Sequence, residues 1–144
     1  MTDTSWLMRV EGAKRTLNGS QALVFNLVAA GFAGFYLYTS GFGLVSTQSN
    51  RGIYLMLTSV LVFMLFPATR KSPTDRFSLF DIGFVVLTVA VFGYWIDQYV
   101  SYAMFRVSSP NQTDLIMGSL AIVILLETSR RALGPVISLI AIAF

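Results

Sequence analysis

Gln21-Ala-Leu-Val-Phe-Asn-Leu-Val-Ala-Ala-Gly-Phe-Ala-Gly-Phe-Tyr-Leu-Tyr38 is the stretch that decides the fold class. It sits inside a run of 35 residues, between Arg15 and Arg51, that carries no charged side chain. A helix rising about 1.5 Å per residue crosses the roughly 30 Å hydrocarbon layer in about 20 residues. Each Asp, Lys or Arg at the centre would cost about 2.5–3.5 kcal/mol to insert, so a long uncharged run is what spanning requires. The stretch therefore reads as a transmembrane helix within about Gln21–Val45.

Working outward, the pattern recurs. A second span reads as Gly52–Ala68, opened by Arg51 and closed by Pro67-Ala-Thr-Arg70-Lys71. The connector Lys71-Ser-Pro-Thr-Asp-Arg76 is rich in turn formers and charge. A third span covers about Phe80–Val100, with Asp81 and Asp97 as its polar ends. A second connector, Arg106-Val-Ser-Ser-Pro-Asn-Gln-Thr-Asp114, leads to the apolar run Leu115–Leu126. That run alone is short for a span. Asn111 or Thr113 as N-cap, with Asp114 in the first turn, starts its helix early, and Glu127-Thr-Ser-Arg130-Arg131 carries it onward. Gly134 reads as a left-handed stop and Pro135 as the first residue of a further apolar helix.

The expectation is an all-α integral membrane protein with four transmembrane helices and the start of a fifth apolar helix. Residues 1–18 form a polar N-terminal segment, where Trp6, Leu7 and Val10 suggest a brief amphipathic turn. Residues 19–133 form a four-helix domain, and 134–144 begin the next helix. Lys and Arg alternate as four spans demand: Arg9, Lys14 and Arg15, then Arg51, then Arg70, Lys71 and Arg76, then Arg106, then Arg130 and Arg131. Basic loops stay in the cytoplasm, so the N-terminus and the Arg130-Arg131 end are expected inside.

Composition agrees. Of the 144 residues 55% are hydrophobic and 12% charged, against about 25% charged in soluble domains. There is no His and no Cys, which removes disulfides, thiol nucleophiles, imidazole bases and the usual zinc or haem ligands. The net charge of +3 comes from basic residues scattered at segment ends, as in a membrane protein, and does not point to nucleic acid. No phosphate loop, metal spacing or catalytic triad is present, so no cofactor and no enzymatic activity are expected of this chain.

The ionisable residues are few. Asp81, at the start of the third span, gains from the helix dipole by about 0.3–1 kcal/mol. Asp97 lies at the opposite end, flanked by Tyr94, Trp95 and Tyr99 as in an interfacial aromatic belt. Both read first as boundary residues, with contact to a partner subunit or ion handling as the other readings. Glu127 stands three and four residues before Arg130 and Arg131, so the three share one helix face. They read either as an internal ion-paired anchor or as a docking contact to another subunit or anionic lipid. Ala30-x-x-x-Gly34 in the first span is a small-residue motif of weak specificity.

The segment Ile124-Leu-Leu-Glu127-Thr-Ser-Arg130-Arg131-Ala-Leu-Gly134 resembles the LLE-x-x-RR-x-x-G segment of TRAP transporter membrane proteins (tripartite ATP-independent periplasmic), nearest the TAXI-associated branch. Arg51-Gly-Ile-Tyr-Leu55, Phe66-Pro67, Phe80-Asp81, Tyr94 and the Asp114-x-x-x-Gly118 spacing fall where that branch has similar residues. The similarity runs from about Gln21 to Phe144, and its distinctive part is the Glu-Arg-Arg-Gly motif.

The resemblance implies a small four-helix scaffold component, with Glu127, Arg130, Arg131, Gly134, Asp81 and Asp97 in structural or partner contacts. It further implies a large twelve-helix permease part that carries the substrate and sodium sites, and a periplasmic binding protein that delivers a small organic acid. On that reading the chain is a separate subunit or the first part of a fused permease. Two rivals are the small subunit of a tripartite tricarboxylate transporter and a self-contained small multidrug-type exporter. The exporter would need a membrane-centred carboxylate, which the first span lacks.

Overall fold

A computed structural model describes residues 15–43, 46–68 and 77–143. The described residues form five α-helices. They are α1 (Ser20–Phe42), α2 (Thr47–Leu65), α3 (Leu79–Ser101), α4 (Gln112–Leu133) and α5 (Pro135–Ala143), with a π-helical turn, Tyr102–Arg106, closing α3. The proposed amphipathic turn at Trp6, Leu7 and Val10 lies outside the described residues. Among the described residues two helices are long and apolar enough to cross a membrane, α1 and the 28-residue stretch Leu79–Arg106. The lower apolarity of α2 and α4 has a visible source. Gln48, Asn50 and Arg51 crowd the start of α2, and Glu127, Arg130 and Arg131 occupy the last turns of α4.

Local chemistry sets the helix ends. Ser46 caps α2 by accepting the Ser49 N–H at 3.2 Å. Pro67 disfavours helical geometry in the residue before it, and Phe66 is extended at φ −110°, so α2 stops at Leu65. Asn111 and Asp114 form a capping box at the start of α4, the Asp114 carboxylate accepting the Asn111 N–H at 3.0 Å. Gly134 ends α4 at φ 88°, the positive φ expected of it. Its ψ of 171° is extended and not left-handed helical, so α5 departs at once, with Pro135 its first residue.

Helices α2, α3 and α4 pack around Phe63, Val91, Phe92 and Ile124, with Met56, Phe84, Leu87, Met117 and Leu120 against them. Contacts at both ends show the alternating direction. Residues at the end of α2, the start of α3 and the end of α4 meet at one pole, while Gly52 meets Trp95 and Tyr94 meets Asp114 at the other. At Gly52 a side chain is excluded: a Cβ there would lie 2.8 Å from Ile96 and 3.0 Å from Trp95. Among the described residues α1 leans chiefly on α2, through Phe32, Tyr36 and Tyr54 and a hydrogen bond from Tyr36 Oη to the Asn50 carbonyl at 2.9 Å. Most of α1 is exposed, including Leu37 and Phe42, and a Cβ added at Gly31 or Gly34 would touch nothing.

Candidate functional site

The charged residues converge at two poles of the bundle. At the first, α2 ends with carbonyls that have no next turn to accept from. Arg15 fills that gap, and Arg130 and Arg131 take the carbonyls of the segment that follows the helix. Arg15 donates its backbone N–H to the Leu65 carbonyl at 2.9 Å and Nη1 to Met64 at 3.3 Å. Arg131 Nη1 reaches the Phe66 carbonyl at 3.2 Å, and Arg130 Nη2 the Ala68 carbonyl at 2.9 Å. A cation is also what the negative end of the α2 dipole favours.

Between Arg15 and Arg131 lies Asp81. Its Oδ2 accepts from Arg15 Nη2 at 2.7 Å and its Oδ1 from Arg131 Nη1 at 2.6 Å. The side chains of Arg15 and Arg131 are 0% exposed and that of Asp81 2%. The Arg131 guanidinium also lies over the Phe63 ring at 4.8 Å and the Phe84 ring at 5.2 Å. Glu127 continues the chain of charge. It takes Arg130 in a bidentate pair at 2.6 and 2.7 Å and Arg131 Nε at 2.8 Å. Among the described residues, three cations stand against two carboxylates in this network. For Glu127, beyond the apolar stretch of α4, burial pushes the carboxyl up. Hydrogen bonds and charge from Arg130 and Arg131 outweigh that and hold it below its ordinary value.

The second pole gathers Tyr94, Gln98, Arg106 and Asp114. Tyr94 Oη donates to Asp114 Oδ1 at 2.7 Å, and Arg106 Nη1 lies 3.2 Å from the same oxygen. Arg106 Nη2 donates to Gln98 Oε1 at 2.8 Å, and Gln98 Nε2 to Asp97 at 2.7 Å. The π turn positions Arg106 for this, since its wider coil brings the guanidinium back over α3. The Asp114 carboxyl is held below its ordinary value, chiefly by the Tyr94 hydrogen bond, then by the Asn111 N–H and the Arg106 charge, against burial. Asp97 is exposed and meets only Gln98 among these groups.

Of the residues singled out from sequence, Asp81, Glu127, Arg130 and Arg131 form one network, and Gly134 ends the helix that carries three of them. Asp97 stands apart at the other pole. Asp81 is in the first turn of α3, as expected, and to the helix dipole the structure adds burial at the centre of an Arg–Asp–Arg triad. Sequence reasoning missed Arg15 as its partner, and missed the carbonyls at and after the end of α2 as the surface on which the arginines lie. A carboxylate surrounded by apolar sequence signals that a cation must come to it, but not which one. Among the described residues no group of His, Cys, Asp or Glu is placed to hold a metal ion. Comparison with protein-family models, curated proteins and solved structures finds no match to this chain.

Proposed function

We propose that the chain is the small, stationary membrane component of a TRAP-type secondary transporter, of the TAXI-associated kind, for small organic acids. On this reading α1 to α4 all cross the inner membrane with the N-terminus inside. The chain performs no chemistry. A large permease part moves substrate with an ion, and a periplasmic binding protein delivers the substrate.

The observation that supports this best is the convergence of Asp81, Glu127 and Arg131, positions on which the family resemblance rests, into one buried network that locks three helices. A support that must stay fixed while a neighbour slides needs such rigidity at its end. The same bundle leaves a wide apolar surface on α1 and α5, with Leu27, Leu37, Phe42, Ile140 and Ile142 exposed, for lipid and a large partner to cover. Arg130, 42% exposed beside Glu127, offers a charge to that partner at the cytoplasmic junction.

The test is affinity purification of the tagged chain from native membranes in mild detergent. A twelve-helix permease is expected to co-purify, and Arg130→Glu is expected to weaken its recovery while the chain stays in the membrane. Ion-coupled solute uptake by the chain alone in liposomes would overturn the reading. So would undiminished assembly and uptake remove the role of Arg130.

A further inference from the structure

At the pole away from the arginine network, α2, α3 and α4 diverge around a cavity of about 690 Å³. Its inner walls are apolar, with Leu55 from α2, Val91 and Phe92 from α3, and Met117, Ala121 and Ile122 from α4. Towards the mouth the lining changes to Trp95, Tyr99 and Tyr102, and then to Gln48, Gln98 and Arg51. Asp114 to Ile122 spans about 12 Å of helix at 1.5 Å per residue, close to the roughly 15 Å of hydrocarbon in one leaflet. Rings that are apolar in body and polar at the tip sit where a bilayer changes from tail to headgroup.

The charges at the mouth are unequally engaged. Asp114 is engaged by Tyr94 and Arg106, whereas Arg51 is exposed and has no carboxylate within ion-pair distance among the described residues. Asp97 lies beside the mouth on Gln98, so the four ionised groups there balance, and the attraction for an anion is local to the unpaired Arg51 guanidinium. A slot with apolar walls, one leaflet deep, with a free guanidinium at its opening, complements a molecule with a hydrocarbon tail and an anionic head.

We propose that this cavity binds an anionic phospholipid, one acyl chain lying between α2, α3 and α4 and the phosphate against Arg51. The inference rests on the membrane-spanning reading of the bundle proposed above, but not on its role in a transporter. Gly118 keeps the slot open: it lines the cavity, and a Cβ added there would meet nothing within 4 Å. A Cβ has room at that position, so a large side chain there is expected to take up part of the void.

The test uses the full chain in detergent micelles with Trp6→Phe, which leaves Trp95, in the cavity wall, as the sole tryptophan. Phosphatidylglycerol with brominated acyl chains is titrated while Trp95 fluorescence is read, because bromine quenches the indole on contact. Quenching is expected to saturate, and phosphatidylcholine with the same chains to require about tenfold more lipid, the worth of a charge-assisted contact. Arg51→Gln, a change at the exposed rim, is expected to abolish the difference between the two lipids. Gly118→Phe is expected to remove the saturable component with the thermal unfolding midpoint retained. Equal, unsaturable quenching by both lipids would overturn the proposal, as would full lipid preference in Arg51→Gln. Tighter binding of brominated stearate than of phosphatidylglycerol would overturn the phospholipid assignment and make a free fatty acid the ligand.

Discussion

Asp81 is held by two guanidinium groups, Arg15 and Arg131, and none of the three side chains has meaningful contact with solvent. Burying three charges is expensive, and what makes the arrangement tolerable is that each is paired and hydrogen-bonded. Removing one member leaves the others stranded. Asp81→Ala is therefore expected to lower stability by about 3–5 kcal/mol, read from chemical unfolding of the detergent-solubilised chain. Arg131→Ala should fall in the same range, and the double variant should cost clearly less than the sum of the two, because the partners act as a unit. Additive losses would show that the triad is not coupled. Arg130 is a different case. Its side chain is 42% exposed, so Arg130→Gln is expected to change stability by less than about 1 kcal/mol in the same measurement.

The helices themselves were largely legible because their ends are written locally. Pro67, the Asn111–Asp114 box and the Gly134-Pro135 pair each stop or start a helix through interactions a few residues long. The helical extension through Glu127 to Leu133 was likewise readable from the Glu–Arg spacing. The pairing of Asp81 was not, because the cation that meets it comes from 66 residues upstream and is chosen by how α2, α3 and α4 assemble. The approach of α2 to α3 at Gly52 was hidden for the same reason. Gly52→Val is expected to push Trp95 and Ile96 aside and cost about 1–3 kcal/mol, typical of overpacking, in thermal or chemical unfolding. The α3–α4 contact at Asp114 predicts a pH effect. Its folded carboxyl titrates below the ordinary 3.8, so the contact stabilises fully above that value and is lost as the pH falls through the folded one. Between pH 6 and 2.5 the unfolding midpoint should drop, and Asp114→Asn should flatten that drop in part. An unchanged profile in the variant would remove Asp114 from the titration.

For the whole molecule, the question is how the bundle lies in its surroundings. The core is confined to α2, α3 and α4, and α1 touches them along one short aromatic seam, so most of α1 faces outward. The chain contains no cysteine, which allows each pole to be addressed by a single introduced thiol. With α1 to α4 crossing and the N-terminus inside, Ser109→Cys is expected to react with a membrane-impermeant maleimide added to intact spheroplasts. Ser72→Cys is expected to react only after the membrane is opened. The reverse pattern would invert the orientation, and equal labelling of both before lysis would deny the four-span arrangement.

The two cations that pair with Asp81 come from opposite sides of it in the chain, one from residue 15 and one from residue 131. Until α4 is in place, then, the Asp81 carboxylate has its charge balanced by Arg15 but lacks one of its two hydrogen-bonding guanidinium partners. A chain truncated after residue 126 keeps α1, α2 and α3 but lacks Arg130 and Arg131, which leaves Asp81 Oδ1 and the Phe66 and Ala68 carbonyls without these donors. Such a truncated product is expected to be degraded in cells faster than one ending at residue 134, which makes the last turn of α4 the piece that completes the bundle.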